Sequence, residues 1–551
     1  MRHKIIDKSL DKYAMVRYLS FPSWYPPHLP PSKIFKEYFN KVSVYSLSEL
    51  IQRFYKIVFF GLTTALIEDK LIELEYLERR VFMILEAIDV KELLQEKAGY
   101  ILSFLMGNGG EYGEIFFEDS SNTRIVFENN KVDKIEHGSD VGVGLRLIKN
   151  HKVYYGYSTE FDINVLTELA KTIANTSSQG PIKVGKAYAK AYMPIGIDPE
   201  QIDLSRKIEI LNRANDAARS FGEYVKQVSA VLMDKKRQIM IINSLGEHVE
   251  DIQTRTVFYT EVVSYKDGIL QRGYESMGGN VGFELFERKS PEEIASISAR
   301  RAIMLLDAKP APAGSFTIVM SSEAGGTMVH EAVGHGLEAD LVQQGQSVYK
   351  DRIGQKVASS LVSVIDDATI PGMNGSFNFD DEGVEAQRKV LIEDGYLVGY
   401  MYDRLRAMKD GVKSTGNGRR QSYAHPPVVR MTNTFIKSGK TNPEDIIKDT
   451  KKGILVKKMG GGQVNTITGD FVFDVMEGYI IENGQITYPI RGATLIGNGP
   501  KALEDIDAVG YDEGFAIGTC GKDGQGVPVS DAQPTVRIKS MTLGGCEVCS
   551  G

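Results

Sequence analysis

The segment Met328-Val-His-Glu-Ala-Val-Gly-His-Gly-Leu-Glu-Ala-Asp340 holds His330, Glu331 and His335 in H-E-x-x-x-H spacing, using two of only eight histidines in the chain. Two imidazoles can ligate zinc, and a carboxylate beside the first can take a proton from an activated water. The familiar zinc-protease spacing is H-E-x-x-H, with the histidines four apart on one helix face. Five apart leaves them about 140° apart on a regular α-helix, too far round to share one ion. A locally widened turn, such as a π-bulge, would bring them together. Gly334 and Gly336 flank the second histidine and ease such a distortion. On spacing alone a shared metal and a buried helix with two hydrogen-bonded histidines both remain open.

The elements that must position these residues are legible around them. Ser315-Phe-Thr-Ile-Val-Met320 is an apolar, β-branched run that reads as a buried strand. Ser321 to Gly326 then reads as a turn, and the helical pattern follows. Further on, Val384–Tyr402 reads as a hairpin around Glu393-Asp-Gly395, and Tyr479–Thr487 as one around Asn483-Gly484. Val536–Lys539 reads as a last strand. The glycine groups at Thr415–Arg420 and Gly460–Gly462 lack the P-loop ending and the dinucleotide-binding context, which leaves turns or close backbone approach as their reading.

Before the histidine segment the chain alternates helical and strand patterns. A helix is expected over Asp89–Met106, then strands at Glu114–Phe117, Thr123–Phe127, Val141–Ile148 and Val153–Tyr157, with Gly138 in a loop. Helices follow at Ile163–Ala174 and Leu204–Phe221, strands at Gln227–Met233, Gln238–Ile242 and Arg255–Val263, and a helix opened by Ser290-Pro-Glu-Glu293. His137, His151 and His248 stand alone there and suggest no chemistry. Lys309–Gly314, rich in proline, reads as a domain boundary. The fold expected is α+β in two domains: an N-terminal α+β domain over 83–312 and a mainly antiparallel-β C-terminal domain over 313–551 that carries the zinc-binding helix.

Residues 1–82 differ from the rest. They hold one of the 55 glycines, the only tryptophan, and 13 Lys+Arg against 9 Asp+Glu, while the whole chain carries −7. They read as an atypical extension, with Met83 as a candidate start. The acidic balance does not favour general attraction to nucleic acid. Three cysteines in 551 residues exclude a disulfide scaffold and suit a reducing cytoplasm. The longest early apolar run, Ile57–Ile67, is too short to span a membrane.

Five segments together resemble the TldD branch of the TldD/PmbA metallopeptidase family: Val329–Asp340, Ser414–Arg420, Arg430–Thr434, Gly460–Gln463 and Gly518–Gln525. The resemblance runs from about residue 85 to the end. It implies one zinc per chain held by His330, His335 and Cys520, with Glu331 as general base. It also implies small or unfolded peptides as substrates and a PmbA/TldE-type paralogue as partner in a heterodimer, with a homodimer as the other arrangement. Arg419, Tyr423, His425 and Glu338 are candidates for substrate contact or for supporting the ligands; Asp340 is a further orienting candidate. Cys546 and Cys549, spaced C-x-x-C beside the terminus, compete with Cys520 for the third position.

Three functions compete on the sequence alone. A peptidase is favoured by the carboxylate next to His330. A zinc-dependent regulatory or binding module without catalysis is the alternative, and the family's older label of DNA gyrase modulator belongs there. A structural zinc would take four protein ligands and no adjacent base.

Overall fold

A computed structural model of the chain describes residues 90–175 and 187–545. The expectations for residues 1–82, for Met83 and for Cys546 and Cys549 lie outside the described residues. The described residues fall in one compact unit, and it has the mixed α+β character read from the sequence. Among the described residues no helix is long and apolar enough to cross a membrane.

The first layer is a seven-stranded sheet of β1 (Tyr112–Glu128), β2 (Lys131–Lys149), β3 (Lys152–Ser158), β4 (Ala187–Tyr192), β5 (Val225–Asn243), β6 (Glu247–Lys266) and β7 (Ile269–Gly279). Its order is β3-β2-β1-β5-β6-β4, with β7 also on β6. β1 and β2 run unbroken where the sequence pattern suggests several short strands. Ser120, Ser121 and Asn122 pair with Asp140, Ser139 and Gly138, so the backbone ladder carries a polar stretch that hides the apolar pattern. Gly138 therefore lies inside a strand and not in a loop. A helix over 90–106 and another at Ile163–Ala174 cover one end, burying Leu94, Leu102 and Leu166 against Phe117 and Leu145. Leu204–Arg219 and Pro291–Leu306 cover the other, through Leu211, Ala214 and Ala299. The last helix begins as its sequence demands, with Pro291 in the first turn and the Ser290 side chain accepting from the Glu293 amide.

The second half holds two larger sheets. Lys452–Val464, Gly314–Met320, Val536–Gly544, Ala493–Asn498 and Asp470–Glu482 pair in that order, and the last pairs back to the first. The result is a closed five-stranded ring, without free edges between its members. Gly460–Gly462 lies inside Lys452–Val464, where the register slips against Asp470–Glu482. Lys309–Pro310 is not a free linker, since it pairs with Ile490–Arg491. The other sheet runs Tyr396–Leu397, Arg388–Glu393, Val364–Asp367, Asn433–Ile436, Gln525–Gln533, Gly514–Lys522. Its first hairpin turns at Asp394-Gly395, both at positive φ, as the sequence requires. It is shorter than Val384–Tyr402 because those end residues bond elsewhere: the Val384 carbonyl accepts from Asp380 and the Tyr402 carbonyl from Thr415.

Buried ion pairs join the first sheet to residues 380–423. Arg146 of β2 reaches Glu382 at 2.5 Å, Arg237 of β5 reaches Asp381 at 2.6 Å, and Arg420 pairs with Glu114 of β1.

Candidate metal centre

Gly314–Met320 delivers the chain into the core, and a short turn then starts a helix at Thr327. Gly326 sits so close to the strand Gln525–Gln533 that a β-carbon there would lie 2.2 Å from the Ala532 nitrogen. That approach brings the helix against Asp531. The helix opens at His330 into a π turn over His330–Gly334, closed by the His335 amide donating to the His330 carbonyl five residues back. It then tightens over His335–Leu337. The widened turn removes the angular mismatch of the five-residue spacing. The two imidazoles end 5.1 Å apart between ring centres. Val329, Val333 and Leu337 of this segment are fully buried in the core of the ring, which fixes it in place.

Cys520 lies on Gly514–Lys522, the edge strand of the six-stranded sheet, opposite Val527. Its Sγ is 3.5 Å from His335 Nε2. One ligand atom each from His330, His335 and Cys520 fall within 4.8 Å of one another. Ligand atoms about 2.0–2.3 Å from a tetrahedral zinc stand about 3.5 Å apart, so this nitrogen–nitrogen–sulfur set fits that ion. Each imidazole is oriented through its other nitrogen. His330 Nδ1 is 2.6 Å from Asp531 Oδ1, and His335 Nδ1 is 2.9 Å from Glu338 Oε2. This is the carboxylate–histidine arrangement that leaves Nε2 available to a metal.

Lys522 stands behind Glu338. Its Nζ donates to Glu338 Oε2 at 2.9 Å, Asp340 Oδ1 at 2.8 Å and the Val429 carbonyl at 3.1 Å. Burial would raise the Glu338 carboxyl, but Lys522 and then His335 hold it down to about 2. Burial disfavours charge on both imidazoles, yet Asp531 holds His330 well above its usual range, and Glu338 with Cys520 holds His335 up to about 10. Cys520 responds in the opposite sense: burial opposes the thiolate, and hydrogen bonds from His330 and His335 prevail, holding the thiol down to about 5. Glu331 is not spent on orientation. It stands 3.9 Å from His335 Nε2 with its side chain 30% exposed, and burial raises its carboxyl against the pull of the two histidines. A partly exposed carboxylate of raised basicity therefore stands beside the ligand atoms.

Of the other candidate residues, Glu338 is at the centre as a support for His335, and Asp340 reaches it through Lys522. Arg419 lies behind Cys520, its guanidinium donating to the Met431 and Pro528 carbonyls at 2.6 and 2.7 Å. Tyr423 and His425 are not brought to the ligand atoms. Tyr423 gives its hydroxyl to Asp140 at 2.7 Å and packs on Phe116 and Ile241 of the first sheet, while His425 Nδ1 meets Ser422 Oγ at 3.0 Å. Their apparent nearness in sequence to Arg419 is undone by the turn at Ser422. Asp531 and Lys522 escaped the sequence reading. A signal existed for each: Lys522 is two residues from Cys520 on a strand, hence on its face, and Asp531 is on the strand paired with it.

Residues 113–179, 197–306 and 313–545 match in turn domain 1, the central domain and the C-terminal domain of the PmbA/TldA metallopeptidases. The chain belongs to the TldD/PmbA metallopeptidase family. A Metalloprotease TldD homolog of Buchnera aphidicola is 38% identical to this family member over 452 residues, 79% of this chain and 93% of its own. Metalloprotease MJ0996 of Methanocaldococcus jannaschii is 39% identical over 440 residues, 78% and 96% respectively. Among solved structures, TldE from Thermococcus kodakarensis shares the fold, with a TM-score of 0.64 at 18% identity over 81% of this chain and 99% of that one.

Proposed function

We propose that this TldD/PmbA-family chain is a zinc-dependent peptidase in which His330, His335 and Cys520 hold one zinc and Glu331 is the general base. The observation that carries the reading is the convergence of the three ligand atoms within 4.8 Å, with an unspent carboxylate beside them. The name of a Saccharolobus solfataricus relative, Zinc metalloprotease TldD homolog, 26% identical over 79% of this chain and 97% of its own, supports the choice of ion.

Zinc held by the two imidazoles and the thiolate would supply Lewis acidity. The chain's own residues do the rest. Asp531 and Glu338 hold each ring with Nε2 forward, and Lys522 neutralises the buried Glu338. Glu331 accepts the proton of the attacking water and returns it to the departing amine nitrogen. The edge strand Gly514–Lys522 presents backbone groups beside Cys520, and an extended peptide can pair with such an edge with little dependence on side chains. That suits small or unfolded peptides. The fold shared with a TldE supports pairing with a PmbA/TldE-type paralogue.

The test is chelator-sensitive cleavage of an unfolded peptide, with and without the paralogue, in the parent and in Glu331→Gln. The variant keeps its zinc and loses activity by about 10²–10⁴-fold. Cleavage at the parent rate would refute the role given to Glu331; retention of activity after complete removal of zinc would refute the metal.

A further inference from the structure

A second feature lies between the first sheet and the six-stranded sheet: a cavity of about 320 Å³, within the range of small-ligand sites. Six cationic side chains line it: Arg124, Lys235, Arg237, Arg255, Arg419 and Arg420. Four of them are answered. Arg124 pairs with Glu136, Lys235 and Arg237 with Glu118, and Arg420 with Glu114. The carboxylates on the wall are also committed. Asp234 is bound by Lys207 and Asp381 by Arg237, and Asp380 accepts from the Glu382, Val384 and Gly418 amides.

Two guanidiniums remain. Arg255 donates only to neutral acceptors, the Asn374 and Ser376 carbonyls and Gln253 Oε1, at 2.8–3.1 Å. Arg419, only 4% exposed, donates only to main-chain carbonyls. Among the described residues no carboxylate lies within 4.0 Å of either. Burial, then the nearby Arg419 and Arg237, push Arg255 below the usual guanidinium range. Asp381 acts on both from beyond ion-pair distance but is held by Arg237, so burying the two guanidiniums together is costly and a bound anion relieves it. The cavity lies at the strand that carries Cys520, on its other face: Thr519 on the wall precedes Cys520, and Arg419 donates to the carbonyl of Pro528, the strand partner of Thr519. Phe377, Phe379 and Pro528 supply apolar wall for the carbon skeleton of a ligand.

We propose that this cavity is a carboxylate-binding subsite, in which Arg255 and Arg419 receive an acidic group of the peptide substrate. This rests on the peptidase reading above and adds a charge preference to it. The carboxylate comes either from the peptide's C-terminus or from a Glu or Asp side chain. The main chain alone cannot supply such a preference.

The experiment uses the zinc-loaded full chain, with and without the PmbA/TldE-type paralogue, and two pairs of short peptides: free acid against C-terminal amide, and Glu against Gln at one position. In the parent, one pair shows a carboxylate preference in kcat/KM of about tenfold or more, as charge-assisted hydrogen bonds produce. Which pair shows it identifies the source. Arg255→Gln collapses that ratio toward one, and Arg255→Lys retains part of it. Ratios within twofold for both pairs in the parent, or a preference that survives Arg255→Gln, overturn the proposal while leaving peptidase activity standing. If nothing is cleaved, the peptidase reading fails and calorimetry decides the subsite with the same peptides. Carboxylate-selective binding lost in Arg255→Gln upholds it, and unselective or absent binding overturns it.

Discussion

Gly334→Ala tests the widened turn on which the proposed metal centre depends. Gly334 has ordinary helical dihedrals, φ −57° and ψ −51°, so alanine is conformationally acceptable and gains about 1 kcal/mol of helix preference. Space is the difficulty. The added β-carbon would lie 2.0 Å from Met431 Sδ and 3.1 Å from its Cε, against a normal separation of about 3.5–4.0 Å. Met431 is fully buried, and its carbonyl is held by Arg419, so it has little room to retreat. Overpacking of this kind costs about 1–3 kcal/mol, which outweighs the helix gain at most of its range. Because His335 is the next residue, the displacement falls on a ligand. We expect zinc affinity to weaken by about tenfold for each 1.4 kcal/mol so spent, read by competition with a chromophoric chelator. Met431→Ala alone destabilises by about 2–5 kcal/mol through the void it leaves. In the double variant the clash is gone, so the cycle shows favourable coupling of about 1–3 kcal/mol. A Gly334→Ala protein with parental zinc affinity and an unchanged or higher melting point would refute the packing argument.

Asp531→Asn removes the carboxylate from His330 Nδ1 and should weaken zinc binding about 10–100-fold with the fold intact, measured by the same competition. Cys520→Ala loses zinc and activity together, whereas the double Cys546→Ala/Cys549→Ala keeps both; metal content per chain tells the two apart. Zinc uptake at pH 7 should release about two protons per ion, because His330 and His335 are held protonated without metal while Cys520 is already a thiolate. Affinity accordingly rises with pH by about 100-fold per unit near neutrality; calorimetry in buffers of different ionisation enthalpy that finds one proton or fewer contradicts this. Glu382→Ala strips Arg146 of its nearer partner in a buried network and should cost about 3–5 kcal/mol, seen as a fall in the denaturation midpoint.

Local chemistry made much of this legible. The strand before the histidines, the Ser290-Pro291 helix start and the turns at Asp394-Gly395 and Asn483-Gly484 each depend on neighbouring residues, and each stands where the sequence puts it. The five-residue spacing of His330 and His335 demanded a wide turn, and the wide turn is there. What escaped was long-range. β1 and β2 continue through polar residues because each satisfies the other's backbone, a fact that neither segment carries alone. Asp531 supports His330 from 201 residues away, and only the pairing of two late strands places it. Tyr423 is pinned to Asp140 because the first sheet lies beside it, which its own neighbours in sequence do not show.

The separation between the two parts of the metal centre has a consequence for how the protein is made. His335 leaves the ribosome 185 residues ahead of Cys520, roughly 10–40 s earlier at about 5–20 residues per second. Through that interval the nascent chain has its imidazole pair without the thiolate, and without the carboxylate that aligns His330. The strand that follows, Val536–Gly544, is also the one that pairs with Gly314–Met320 and completes the ring beneath the histidines. Assembly of the three ligand atoms is thereby deferred until Cys520 and Asp531 have both been made, so a nascent chain holds the imidazole pair without the groups that would complete it.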